Sequence, residues 1–544
     1  MKLHKISIIL MSAFIVASCS DIDDQTPEGG VLTEEQVRET NEAIPARIDA
    51  TFSGMFSMMA PPAAVFGLVQ GRADDFGFIS AALSQDAEGA DLGMADNGYN
   101  WFSTACELSS RNANYANPYA RYTLPYRQIG VANQIISSYD ANTTDKEAIN
   151  KIAQARAIRA FDYMALAPYY AFGDYEKHKN DLCIPVLSDS VDMTNNPRAT
   201  LEKVYEAVMS DLNYAVEKLE GAKRSDKAYI DQNVAYGLRA RANLAMGRYA
   251  EAAADAEKAM NGYKPASRAQ VSVPTFYDIT ESNWIWGVDI TDAQVTDFGY
   301  ATSSSWLSAF SGDGYAPATG NVPVINKLLY DKISANDVRK GWWLNEDKHS
   351  PNWANLSWDD VVGDEIADYV IEDVKVKFLP YTNIKFGQKS GVGSSLNNND
   401  WPLMRVEEMI LIQAEGLARS GNESRAKEVL TNFVKTYRDP SYNISATGRT
   451  LLDEIWFQRR VELWGEGFFT ADAKRLGKNI VRFHGKGTSN FPDAHQFNIA
   501  ADDGWLNLRF PQDEKDNNLG IIDNTGGTQP VPGQNANLRD GVTD

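Results

Sequence analysis

The sequence predicts a mainly α-helical fold, in which pairs of close-packed helices carry a large loop-rich insert containing short strands. Three observations predict it. Long stretches place apolar residues at helical spacing, two segments repeat the same intervals of small residues and glycine, and about 140 residues of different composition separate those segments.

From Ala148 to Phe172 apolar residues recur at Ile152, Ala155, Ile158, Phe161, Met164 and Leu166 with lysine and arginine between them, so one long helix is expected. A second runs from Leu201 to Leu219, where Val204, Val208, Leu212, Ala215 and Val216 line one face and Gly221 supplies the stop. Next, Ala240, Gly247, Ala252 and Ala259, with Tyr249 among them, stand at intervals that Ala414, Gly421, Ala426 and Phe433 repeat. Small residues let two helices approach closely and the glycine turns the chain between them, which is the pattern of a tetratricopeptide-like helical-pair scaffold. That scaffold is expected over about 110–262 and 400–476. Residues 263–399 form the insert, rich in Gly, Pro, Asn and Asp, with strand-like runs at Val271–Phe276, Trp284–Ile290 and Val370–Phe378. A last helix is expected from Asp453 to Leu476. The tail over about 520–544 is polar and glycine-rich, and loose packing is expected there.

At the N-terminus Lys2 and Lys5 precede an apolar run from Ile6 to Ala17, which reads as an export signal and is too short to span a membrane. Val16-Ala17-Ser18-Cys19 resembles a bacterial lipoprotein processing site, implying a signal peptide over 1–18 and lipidation of Cys19. Residues 19–30 are then a flexible acidic tether and 31–544 a single body. The formal charge of −21 becomes two units more negative once Lys2 and Lys5 leave. Polyanions are repelled, so no nucleic acid is expected as a partner and a neutral or cationic ligand is favoured. After Cys19, Cys106 and Cys183 permit one disulfide but no disulfide framework, so stability must come from a core.

Five blocks then follow one another along the chain. Tyr126, Ile129 and Asn133 form the first; Arg159-Ala160-Phe161 with Tyr163, Leu166, Tyr170 and Gly173-Asp174 the second. The third is Asp400, Pro402, Leu403, Arg405 and Glu408, leading to Ala414-Glu415 and Gly421. Arg459-Arg460-x-Glu462-Leu463, Glu466-Gly467 and Asp472-x-x-Arg475 make the fourth, and Pro511-x-x-Glu514-x-x-Asn517 the last. In this order they resemble the SusD/RagB family of lipid-anchored nutrient-binding proteins. Pro185 comes later than the family's pattern has it. Glu407, Gln458 and Phe469 also depart from that pattern, which puts a local salt bridge in doubt. The resemblance implies a glycan-binding lipoprotein of the cell outer membrane, facing the exterior, that captures oligo- or polysaccharide. It also implies delivery to a SusC-like TonB-dependent transporter, with no cofactor and no catalysis; no metal-ligating residues are singled out, and a structural calcium stays open. The charged motif residues are expected to be structural, because arginine and glutamate on facing helices usually pair.

Sugars offer apolar CH faces ringed by hydroxyls, so a sugar site needs aromatic rings beside amide and carboxylate groups. Seven of the 12 tryptophans lie between Trp284 and Trp358. Trp284 and Trp286 share a strand face and are expected in the core, and if Trp342 and Trp343 are extended at most one of them can stack on a sugar. Trp306, among serines and followed by Asp313 and Tyr315, is expected to be exposed. Tyr99, Asn100 and Trp101, in a turn-forming stretch after an acidic loop from Asp86 to Asp96, form the second candidate group. The resemblance implies that an N-terminal loop and the insert build the ligand surface together, so both groups are expected to contribute.

Two alternatives stay open. One is a peptide-binding receptor of the same family, since helical pairs also hold peptides in a concave groove. The other is a surface glycoside hydrolase. That chemistry needs two opposed carboxylates, which an acidic sequence always offers, but no H-E-x-x-H, G-x-S-x-G or phosphate loop occurs among its five histidines and other residues.

Overall fold

The apolar periodicities fold as helices, four of which start at a side-chain cap. In the computed structural model the helices are α1 (Ala46–Ser57), α2 (Phe78–Ala87), α3 (Trp101–Cys106), α4 (Ala116–Ser137), α5 (Lys146–Tyr170), α6 (Leu201–Lys218), α7 (Gln232–Ala245) and α8 (Tyr249–Ala259). After the one-turn α9 (Ser304–Leu307) come α10 (Val406–Arg419), α11 (Glu423–Tyr437), α12 (Leu451–Glu462) and α13 (Phe469–Leu476). Described are residues 40, 44–60, 74–96, 101–187, 194–298, 302–311, 322–352, 357–358, 361–362, 378–391 and 393–544. The leader, Cys19, the tether, Tyr99, Asn100, Asp313, Tyr315 and residues 370–377 lie outside them. Asp145, Thr200, Asp231 and Thr450 cap α5, α6, α7 and α12, each side chain accepting from a first-turn backbone N–H that has no partner within its helix.

Consecutive helices pack on one another, α4 on α5, α5 on α6, α6 on α7 and α7 on α8, and the fold class is the mainly helical one expected. Both repeated glycines turn the chain with positive φ, 73° at Gly247 between α7 and α8 and 89° at Gly421 between α10 and α11. α8 packs directly against α10. Their approach is so close that a Cβ at Gly416 would lie 2.5 Å from the Tyr249 carbonyl oxygen. The two repeat copies, far apart in sequence, are therefore neighbours in one stack.

The insert leaves and re-enters that stack through a two-stranded sheet. Strands β1 (Leu92–Gly93), β2 (Trp284–Val288), β3 (Val324–Ile325), β4 (Ser357–Trp358), β5 (Val361–Val362) and β6 (Trp401–Arg405) form three antiparallel pairs, β1 with β3, β2 with β6 and β4 with β5. β2 and β6 are buried along their length, and β6 runs straight into α10. Trp284 and Trp286 lie in the core, as expected. The Val271–Phe276 run is not a strand: it holds a short 3-10 turn and a single bridge from Thr275 to Phe386.

Two other expectations are corrected. The helix expected over 453–476 is broken into α12 and α13, because Gly465 and Gly467 take φ of 74° and 85°. The Asp86 carboxylate accepts from the Gly467 and Phe469 N–H groups, and so fixes the break. The C-terminal tail is exposed at Leu519, Ile522 and Val531, but its end is pinned: Asp540 pairs with Arg460 at 2.6 Å and Val542 is buried. Cys106 and Cys183 are both buried and free, so the permitted disulfide does not form. Burial pushes both thiols up to about 12.

The motif arginines and glutamates pair in the interior. Glu462 accepts from Arg438 through two bonds of 2.9 Å and also from Arg405 and Arg339, each at 3.2 Å. Arg405 also holds Glu466 at 2.8 Å and Glu407 at 3.0 Å, and Lys385 donates to Glu466 at 2.6 Å. Arg339 meets Asp337 at 2.7 Å. Four cations thus face four carboxylates, all buried. Burial alone would raise the Glu462 carboxyl, but Arg438, Arg405 and Arg339 outweigh it and hold the group well below the usual carboxylate range. Glu407 is absorbed here as a further acceptor for Arg438, at 3.1 Å. Gln458 costs no contact either, since its amide oxygen accepts from Arg339 at 2.5 Å. Removing one member strands a buried charge, so Arg438→Met is expected to lose about 3–5 kcal/mol in denaturant unfolding. An unchanged midpoint would contradict a network that carries stability.

Candidate functional site

Trp306 meets the residue that follows Trp101 in the sequence. α3 carries Phe102 and α9 carries Trp306, and the two rings pack edge to face with centroids 4.7 Å apart. Phe76 lies behind Phe102 at 5.7 Å, tilted by 48°. Local hydrogen bonds explain why each segment folds as it does. On the α3 side the Asp74 carboxylate accepts from the Trp101 N–H. Ser103 donates to the Ala95 carbonyl, and Asn117 donates to Thr104 at 2.9 Å. On the α9 side Ser305 donates to the Thr302 carbonyl at 2.8 Å, and Asn383 donates to the Leu307 carbonyl at 2.8 Å. Ser311 and Asn397 bond side chain to side chain.

These bonds overturn two readings. Trp306 was expected to be exposed among its serines, yet it is 1% exposed, because the serine hydroxyls turn inward onto backbone and neighbouring hydroxyls. Trp101 is 6% exposed. Both rings are core side chains here and present no open face to a ligand. Trp342 and Trp343 are likewise buried, Trp342 donating to the Val271 carbonyl at 2.8 Å and Trp343 packing edge-on against Trp464 at 5.5 Å. The Asp86–Asp96 stretch is no solvated loop either: Asp86 ends α2, Asp91 pairs with Arg460, and both are buried. Burial raises the Asp86 carboxyl to about 7 although two backbone N–H groups favour its charged form. Tyr99, Asn100, Asp313 and Tyr315 lie outside the described residues, and their chain attachments, Trp101 and Ser311, flank the Phe102–Trp306 contact in sequence.

Elsewhere a cavity of about 190 Å³ opens between α5, α7, β6 and α13. Its wall is mainly apolar, with Phe161, Met164, Trp401 and Phe468 among the lining residues. Charged groups in the wall form ion pairs: Arg241 grips Glu408 at 2.7 Å, and Arg459 grips Asp472 at 2.9 Å. Such a cavity suits an apolar side chain better than a hydroxyl-rich ring. No sequence signal pointed to it, because its wall comes from helix faces that also serve the core.

A family model described as the SusD family matches residues 374–541, and one described as starch-binding associating with outer membrane matches residues 73–244. No curated protein matches the chain. Among solved structures, a SusD-like carbohydrate binding protein from Bacteroides vulgatus is 22% identical, with a TM-score of 0.68 over 88% of this chain and 97% of that one. A SusD superfamily protein from Bacteroides thetaiotaomicron is 21% identical, with a TM-score of 0.68 over 88% and 99%. The surface glycan-binding protein A from Bacteroides thetaiotaomicron, solved with laminarihexaose, is 16% identical, with a TM-score of 0.64 over 88% and 99%.

A core role for Trp306 has a direct consequence. Trp306→Ala is expected to cost about 3–5 kcal/mol of stability by leaving a cavity against Phe102, read as a lowered unfolding midpoint. A midpoint equal to that of the unaltered protein would return Trp306 to the surface.

Proposed function

Since the chain belongs to the SusD-like family, we propose that it captures an oligo- or polysaccharide at the outer membrane and passes it to a SusC-like TonB-dependent transporter without cleaving it. The observation that carries the reading is the Phe102–Trp306 contact, which joins an N-terminal segment to the insert. The ligand surface then consists of the residues adjoining that contact, with Tyr99 and Tyr315 as stacking rings and Asn100 and Asp313 as hydrogen-bonding groups. The buried Trp101 and Trp306 act as a rigid base for the chain that carries them. This division of labour fits the energetics of sugar binding, in which exposed rings supply contact area and a fixed backing keeps their orientation. Attachment through a lipid on Cys19, facing the exterior, completes the reading, and the helical stack offers the face that meets the transporter.

Laminarihexaose bound to a relative of the same fold supports a glycan ligand and supplies the first probe. The apolar cavity between α5, α7, β6 and α13 favours a second reading, a receptor for peptides with an apolar side chain.

A retention screen of the protein against neutral and acidic polysaccharides, laminarihexaose and peptides, with product analysis of each mixture, separates these readings. Retention by a glycan without new reducing ends is the expected result. Tyr99→Ala and Tyr315→Ala should each then weaken affinity about tenfold, the equivalent of ~1.4 kcal/mol. Released sugars would make the protein a hydrolase, and peptide-only retention would move the ligand to the helical cavity.

A further inference from the structure

Beside the Phe102–Trp306 contact, and independent of the ligand reading above, Asp96, Glu107 and His495 converge. One ligand atom from each lies within 4.8 Å of the others. Asp96 and Glu107 flank α3 and His495 comes from far along the chain, and Arg482 joins the backbone next to Glu107 to that of His495. Its guanidinium donates to the carbonyls of Gly89 at 2.8 Å, Glu88 at 2.8 Å, Cys106, and His495 at 3.3 Å. The end of α2, the end of α3 and the turn carrying His495 are thereby clamped around one cation, whose own donors are directed at those oxygens.

His495 is the unusual member. It is 0% exposed, and neither ring nitrogen makes a hydrogen bond. The polar groups beside the ring are the Met94 backbone and the Glu107 carboxylate, whose Oε1 is 4.0 Å from Nε2. Buried ring nitrogens in folded proteins are nearly always partnered, and a bound ion is one partner that satisfies them. A neutral imidazole nitrogen offers a lone pair that a metal can take. Glu107 is held by Ser109, which donates to Oε2 at 2.8 Å and leaves Oε1 facing the histidine. Asp96 is exposed and provides the entry side.

We propose that Asp96, Glu107 and His495 bind a divalent transition metal, zinc foremost. One imidazole and two carboxylates are a borderline ligand set that suits zinc, whereas calcium calls for six or more oxygens. Three ligands at the corners of such a triangle would stand about 2.3–2.8 Å from its centre, so rotation of the two outer carboxylates by a few tenths of an ångström reaches the ~2.0–2.2 Å of zinc bonds, with water in the remaining position. Ser109 orients the Glu107 carboxylate as the groups behind metal ligands do. The two carboxylates offset the Arg482 charge. The site would tie the segment leading into α3 to the C-terminal third of the chain.

The test uses the purified protein stripped with a chelator and titrated with zinc alone. Metal content is read by mass spectrometry and the unfolding midpoint by calorimetry. One zinc per chain and a raised midpoint are expected, with Asp96→Asn and Glu107→Gln each weakening zinc at least tenfold while remaining folded, and His495→Gln abolishing binding. Should His495→Gln fail to fold, the two carboxylate variants decide. Absence of stoichiometric zinc, or zinc binding unchanged in Asp96→Asn and Glu107→Gln, overturns the assignment. The glycan screen is untouched by either result, so the two readings stand or fall separately.

Discussion

The constraint on which the rest depends is charge balance around Glu462 in the interior. Three arginines converge on one carboxylate, and each comes from a different part of the chain: Arg339 from the insert, Arg405 from the end of β6 and Arg438 from just after α11. Buried charge is tolerable only when it is paired and hydrogen-bonded, so none of these segments can shift without stranding another. Lys385 adds a fourth cation by bonding Glu466 and the carbonyls of Glu462 and Trp464. The insert is thereby fastened to the repeat stack at two places, by ions at Arg339 and Lys385 and by backbone pairing between β2 and β6. An insert of that length joined only by its ends would swing, whereas the described part of this one is held to the stack at these points.

That fastening explains how a helical stack can present a ligand surface. α2 and α3 reach the insert through Phe76, Phe102 and Trp306, and the Asp86 carboxylate ties the end of α2 to the glycine break between α12 and α13. The same glycine break lets Phe468 line the apolar cavity. One set of backbone contacts therefore shapes both candidate binding regions, the aromatic junction at the insert and the cavity in the stack. The family's ordered motif blocks are what hold this frame: Arg159 bonds Asn133 and Asp211, Tyr126 donates to the Pro185 carbonyl, and Arg475 grips Glu415. Their work is structural, and the proposed ligand residues lie outside these blocks.

How much of this was legible follows from the kind of signal each feature leaves. α5 and α6 were readable to within two residues because an amphipathic stripe and a glycine stop are local properties. The interval pattern around Gly247 and Gly421 revealed two helical pairs, yet nothing in the sequence said that α8 would lie on α10, since contact across a long insert leaves no periodic trace. The break at Gly465 and Gly467 was missed because two glycines in a charged, apolar-striped stretch weaken a helix without announcing their φ. Trp306 was misplaced because a run of serines reads as loop, although serine hydroxyls that bond their own backbone bury readily. The Asp96, Glu107 and His495 cluster had no signature at all, its ligands having no short spacing of the kind by which metal sites are recognised. Partners within the ionic network were equally invisible: the blocks marked which arginines and glutamates matter, and only the fold says which faces which.

The account's central claim is that ligand is held where the segment entering α3 meets the insert, above Phe102 and Trp306. Hydrogen–deuterium exchange of the protein with and without the retained oligosaccharide tests it most directly. The account predicts slowed exchange in peptides spanning 94–106 and 302–322, with α5, α7 and α13 unchanged. Protection confined to α5, α7 and α13, around the apolar cavity, would contradict it.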